Sequence, residues 1–189
     1  MQLAGPKTIR WTREDYYKMA EAGLFEGRRV ELIRGEIFEM TPQLSPHAAA
    51  VRIADYTLRP VFGHGYVISI QLPLSLGLDS DPEPDLAVVP GAPRDFVGAH
   101  PSTAVLVLEV ADSSLGYDRI TKGSLYAEAN IQEYWILNLA DRQLEVYREP
   151  RQEATGTYAY GNVTTLGESD TVSPLSAPGA TIRVGDLLP

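Results

Sequence analysis

The sequence contains no cysteine, which excludes a disulfide framework, a thiolate metal site and a thiol nucleophile. It has no apolar run of membrane-spanning length. Its opening stretch, 1-MQLAGPKTIRWTRED-15, lacks the apolar centre of a secretory leader. A soluble, cytoplasmic protein with no membrane partner is therefore the expectation. Positive charge is also scarce: 16 Lys and Arg stand against 25 Asp and Glu, a formal net charge of −9. That deficit argues against a constitutive, tight nucleic-acid binder, because phosphate contacts need a basic surface. It leaves room for an enzyme that meets phosphate through a divalent cation, since such a site needs clustered carboxylates.

What is present fits one domain over residues 1–189, with 44% hydrophobic and 22% charged residues and no internal repeat or linker. Thr12 and Asp15 suggest a capped helix through 13-REDYYKMAEA-22, ended by Gly23. The run 29-RVELIRGEIFEM-40 predicts two short strands around Arg34-Gly35. Ser45 as N-cap and Pro46 as first residue predict a helix over 47–62, with a break near Pro60 and Gly63. Strands are expected at 66–76, 85–89 and 103–111, a helix at 118–130, and a hairpin over 133–149 turning at Asp141-Arg142. Short strands separated by Gly, Ser and Pro clusters are expected in the tail. The mixture predicts an α/β (mixed α+β) domain.

Two of the strands carry acids: 84-PDLAVV-89 and 104-AVLVLEVA-111. Alternation puts Asp85 on a face with Ala87 and Val89, and Glu109 on a face with Val105, Val107 and Ala111. If the strands are neighbours, the acids converge on one side of a sheet. An isolated ionised carboxylate there is costly unless it is paired, protonated or bound to a cation. The plain reading is that both acids sit at strand ends in water, and it suits Asp85, just after Pro84, better than Glu109. Lys122 heads a helical stripe with Leu125, Tyr126 and Ala129. Its plain readings are a stem that snorkels to the surface or an i,i+4 pair with Asp118. Glu31 shares a strand face with Ile33 and, taken alone, reads as an exposed edge residue. His47, at a helix start, reads as a surface residue that reaches phosphate only if substrate lies there.

In order, VELIRGEI, SPH, PEPDLAVV, VLEVADSS, YDRITKGSLYAEANIQEYWILN and LEVYR resemble the Uma-type restriction endonuclease family, a branch of the PD-(D/E)XK nuclease superfamily. The resemblance spans most of the chain and is most specific from Glu109 to Trp135. It implies a restriction-endonuclease-like central mixed sheet flanked by helices. It implies that Asp85 is the PD acid, Glu109 the second acid and Glu31 the additional upstream acid. The standard motif lysine, two residues after Glu109, is here Ala111, and Lys122 on the next helix matches its replacement. Small Ala111 leaves room on that face for such an incoming side chain. VADSS departs from the family's LSPS-like form in the loop beyond the strand.

The implied activity is metal-dependent hydrolysis of DNA phosphodiesters, with Mg²⁺ or Mn²⁺ on Asp85, Glu109 and Glu31, and Lys122 beside the scissile phosphate. Without metal the acids repel, so at least one is expected to have a raised pKa. The alternatives are a catalytically inactive nuclease-fold module that binds nucleic acid or protein, a metal-dependent hydrolase of another ester, and an assembly protein with solvated acids. A homodimer is also expected, with 133-EYWILNL-139 and 144-LEVYR-148 as an apolar edge; the same residues suit a core equally well.

Overall fold

The acid-bearing runs become adjacent strands of one sheet in the computed structural model, which describes residues 7–189. The first six residues, part of the stretch read above for a leader, lie outside the described residues. Helix α1 (Arg13–Glu21) leads to a hairpin of β1 (Val30–Ile33) and β2 (Glu36–Glu39), then to α2 (Ser45–Phe62). Strands β3 (Tyr66–Ser69), β4 (Leu86–Pro90) and β5 (Leu106–Ala111) follow. A helical stretch comes next: a short α3 (Leu115–Tyr117), a π-helical turn (Asp118–Lys122) and α4 (Gly123–Glu128). The chain ends through β6 (Glu133–Asn138), β7 (Gln143–Gln152), β8 (Tyr158–Gly167), β9 (Thr171–Val172) and β10 (Ile182–Arg183).

The main sheet has the order β3-β4-β5-β6-β7-β8. Only β5 and β6 run parallel, which requires a crossover, and the helical stretch 115–128 supplies it. Alternation gives the sheet two apolar faces. Leu86, Val88, Leu106, Leu108, Val110 and Trp135 pack against α2, whose Ala50, Ala54, Leu58 and Phe62 recur every fourth residue. Ala87, Val89, Val107, Ala111 and Ile136 pack against Leu125 and Tyr126 of α4. Each large apolar side chain buried this way contributes about 1.5–3 kcal/mol. The sheet thus lies between α2 and α4, and the odd-numbered positions of β4 and β5 face α4.

Local chemistry explains the elements. Thr12 Oγ1 accepts from Asp15 N–H while Asp15 accepts from Thr12 N–H, a complete capping box that starts α1. At the β1–β2 turn Arg34 and Gly35 both have positive φ, 48° and 72°, as a two-residue hairpin requires. A Cβ on Gly35 would lie 2.7 Å from Arg10 Cβ, so no larger residue fits without movement.

Several expectations change. Leu44, not Ser45, occupies the N-cap of α2 and makes no side-chain cap bond, while Ser45 is already helical. Helix α2 continues through Pro60 to Phe62, because the proline lies in the last turn and buried Leu58 and Phe62 hold that turn to the sheet. Strand β3 ends at Ser69, since the chain turns out of the sheet at Gln71, whose φ is 52°. The tail contains a ten-residue strand, β8, paired along β7, rather than short strands only. The runs expected as a dimer edge are interior strands: Tyr134, Trp135, Ile136 and Leu144 are fully buried. Among the described residues no helix is long and apolar enough to cross a membrane.

Candidate active site

Strand register aligns the acids. Leu86 pairs with Leu108 and Ala87 with Val107, and one step back along β4 sets Asp85 across from Glu109. On the other side β3 pairs Ser69 with Ala87, and just beyond its end Gln71 reaches Asp85. Residues opposite one another point to the same face. Asp85 and Glu109 therefore face α4 together, continued by apolar Ile136 of β6. Asp85 sits one residue before β4, yet it is buried, as is Glu109.

The bonds follow from that alignment. Asp85 N–H donates to Glu109 Oε2 at 3.3 Å, and Val110 N–H donates to Asp85 Oδ2 at 2.9 Å. Gln71 Nε2 donates to Asp85 Oδ1 at 3.0 Å, and His47 Nε2 lies 3.0 Å from the same oxygen. Glu109 Oε1 accepts from Lys122 Nζ at 2.9 Å and from Tyr126 OH at 2.7 Å. Lys122 Nζ also lies 3.6 Å from Glu31 Oε2. Glu31 in turn accepts from Glu83 N–H at 3.2 Å and Tyr117 OH at 3.4 Å.

Lys122 reaches inward because of the turn that carries it. Gly123 N–H donates to the carbonyl of Asp118, five residues back, which resets the helix between α3 and α4. Lys122 is 2% exposed, so its stem does not snorkel, and its ion-pair partners are Glu109 and Glu31 rather than Asp118. Asp118 is also buried and accepts from Ser114 Oγ at 2.5 Å. Glu31 is 0% exposed, against its reading as an edge residue: its hairpin docks on the body through the Leu32–Asp81 bridge and Phe38 against Tyr117. His47 is not a free surface residue; the first turn of α2 delivers it to Asp85.

Burial dominates the electrostatics. It pushes Glu109 up to about 8; Lys122 opposes the shift, and Asp85 and Asp118 add to it. Burial also raises Asp118 above the usual carboxylate range, against Lys122 and the Ser114 bond. Burial acts the same way on Asp85, but the bonds from His47, Gln71 and Val110 outweigh it and leave Asp85 below that range. His47 is raised by its bond to Asp85, against its own burial. Burial alone would lower Lys122, yet Glu109, Glu31 and Asp118 outweigh it and hold the amine above its ordinary value. The raised acid expected of a crowded carboxylate site is thus Glu109, joined by Asp118.

His47, Asp85, Glu109, Asp118 and Lys122 line one cleft of about 320 Å³, together with Arg29, Met40, Thr41 and Ser114. Its buried acids Asp85, Glu109 and Asp118 outnumber its buried cation, Lys122. Hard oxygen donors with excess negative charge and no sulfur ligand suit Mg²⁺ or Mn²⁺. Among the described residues no three His, Asp or Glu side chains cluster closely enough to hold a metal ion. Of the three acids expected as ligands, Asp85 and Glu109 adjoin, and Glu31 meets them through Lys122. The sequence reading missed Gln71 and gave no role to Asp118 or to the Tyr126 hydroxyl. Their signals are spatial: a left-handed turn beyond β3, a π turn, and a tyrosine one helical turn beyond a buried lysine.

Comparison with known proteins bears on the fold and the family. No curated protein sequence matches the chain. A crystal structure described as a putative nuclease belonging to DUF820, from Anabaena variabilis, has the same fold: the TM-score is 0.68 at 19% identity, over 94% of this chain and 97% of that one. A family model described as "Uma2: Putative restriction endonuclease" matches residues 13–185. With nearly all of its described length inside that match, the chain belongs to the Uma2 family of putative restriction endonucleases.

Proposed function

We propose that the protein is a metal-dependent endonuclease that hydrolyses DNA phosphodiesters in the cleft over Asp85 and Glu109. The observation that carries this reading is Lys122 Nζ, buried and 2.9 Å from Glu109, with Asp85 across the strand from that glutamate. DNA as the substrate class is supported by the family description, restriction endonuclease. The net charge of −9 fits an enzyme that tolerates phosphate locally rather than across its whole surface.

Asp85 and Glu109 would hold the divalent ion, matching the one or two carboxylates that Mg²⁺ usually takes from a protein. When bound, the ion supplies activated water and neutralises charge on the phosphoryl oxygens. Lys122 stands at the same acid and donates toward charge that develops on the phosphate. Glu31 holds Lys122 from the other side and keeps the amine in the cleft. Tyr126 OH fixes Glu109 Oε1, which leaves Oε2 turned toward Asp85. His47, at the first turn of α2, borders the space where a phosphate would lie.

The test is cleavage of supercoiled plasmid with Mg²⁺ or Mn²⁺, for wild type and for Asp85→Ala with Glu109→Ala. The reading expects metal-dependent nicking by wild type and none by the double variant, with both folded by circular dichroism. Equal cleavage by both proteins, or activity on RNA or small phosphoesters with none on DNA, would displace it.

A further inference from the structure

Gln71 has a left-handed backbone, φ 52°, that a residue with a Cβ rarely adopts. A glycine would take this conformation freely. Arg34 and Arg142 share the feature but sit in hairpin turns, Asn130 follows the end of α4, and Glu149 lies at a break in the β7–β8 pairing. Gln71 lies instead just beyond the end of β3, beside the chain before β4. Two bonds tie it there. Its N–H donates to the carbonyl of Pro84 at 3.0 Å, and its side-chain amide donates to Asp85 Oδ1 at 3.0 Å. One residue thus grips both the backbone before Asp85 and the carboxylate itself.

Gln71 does not line the cleft, whereas Asp85, Glu109, His47 and Lys122 do. Its amide bonds Asp85 Oδ1 without itself lining the cleft. Its contact with the site is the bond to Asp85. Backbone strain retained at a bond to a site residue is the pattern expected where geometry matters more than stability.

We propose that Gln71 is a positioning residue for Asp85, its amide fixing Oδ1 so that the carboxylate stays in register with Glu109. The inference rests on reading Asp85 and Glu109 as a divalent-cation site. Residues that orient metal ligands typically change affinity or activity about 10–100-fold when they are removed. Gln71→Gly deletes the amide and relaxes the backbone. Gln71→Asn keeps a residue that tolerates the left-handed region but shortens the reach of the amide by one methylene.

The experiment is Mn²⁺ titration by calorimetry, with thermal midpoints, on wild type, Gln71→Gly, Gln71→Asn and Asp85→Ala. The expected result is a midpoint for Gln71→Gly at or above that of wild type, with Mn²⁺ bound about 10-fold or more weakly by both Gln71 variants. Wild-type affinity in Gln71→Gly, with Asp85→Ala unable to bind, would overturn the positioning role and leave the metal reading standing. A midpoint that falls along with affinity would make Gln71 structural and also overturn it. Wild-type protein that binds no Mn²⁺ would remove the metal reading itself, and this inference with it.

Discussion

Replacing Lys122 with methionine removes the one amine that Glu109 and Glu31 share, while filling much of the same volume. The cost depends on what Glu109 does with its proton. Its folded-state pKa, pushed up to about 8, lies above the usual glutamate value, so the folded protein holds a proton there that the unfolded chain releases. Stability from this group therefore falls as pH rises through the window from the ordinary glutamate value to about 8. Below pH 8 wild type and variant lose it together. Their difference is then the lost bonds to a charged donor, about 1.5–3 kcal/mol. Above about 8 the wild-type carboxyl ionises against Lys122, but the variant has no partner for the charge and keeps its proton at about 1.4 kcal/mol per pH unit. The stability gap should be flat from pH 6 to 7.5 and wider by about 1–1.5 kcal/mol at pH 9. Urea denaturation at pH 6.5 and 9.0, followed by tryptophan fluorescence, measures it. A gap that is equal at both values, or smaller at pH 9, would refute the buried Lys122–Glu109 pairing.

Other outcomes follow from the same structure. Burial raises Glu145, but bonds from Arg119 and Tyr147 outweigh it and hold the acid below its ordinary range, so its contribution is present at neutral pH and is lost as pH falls through that lowered value. Arg119→Ala should accordingly lower the thermal midpoint at pH 7, and by progressively less as pH falls through that lowered value. Trp135→Ala empties the largest fully buried site between the sheet and α2 and should cost about 3–5 kcal/mol by chemical denaturation. Gly35→Ala meets both a φ of 72° and Arg10 Cβ at 2.7 Å, and should destabilise by more than about 1 kcal/mol. A neutral Gly35→Ala variant would mean that the hairpin turn relaxes without loss.

How far the sequence carried the site depended on distance along the chain. Strand parity placed Asp85 with Ala87, and Glu109 with Val107 and Ala111, and those residues do share the face packed against α4. The stripe Lys122, Leu125, Tyr126 was legible because apolar neighbours at helical spacing mark a buried face. Gln71 was not, because its place beside Asp85 comes from a left-handed turn beyond β3 and a bond to the chain before β4, neither of which its neighbours encode. The π turn hid in the same way: Asp118 and Lys122 are four apart, which reads as an α-helical pair until one extra residue enters the turn. Glu31 looked exposed because a two-stranded hairpin alone has an open face, and only docking through Leu32 and Phe38 closes it. The apolar run 133–139 gave no sign of whether it was edge or core; its place between β5 and β7 decides that.

The central claim is that Asp85 and Glu109 hold one divalent ion beside Lys122. A crystal of the wild-type protein soaked in Mn²⁺ and measured at the manganese absorption edge tests it most directly. One anomalous peak is expected, bonded to a carboxylate oxygen of each acid and absent from Asp85→Ala crystals. A peak elsewhere in the molecule, or none with both acids still closed on their present partners, would contradict it.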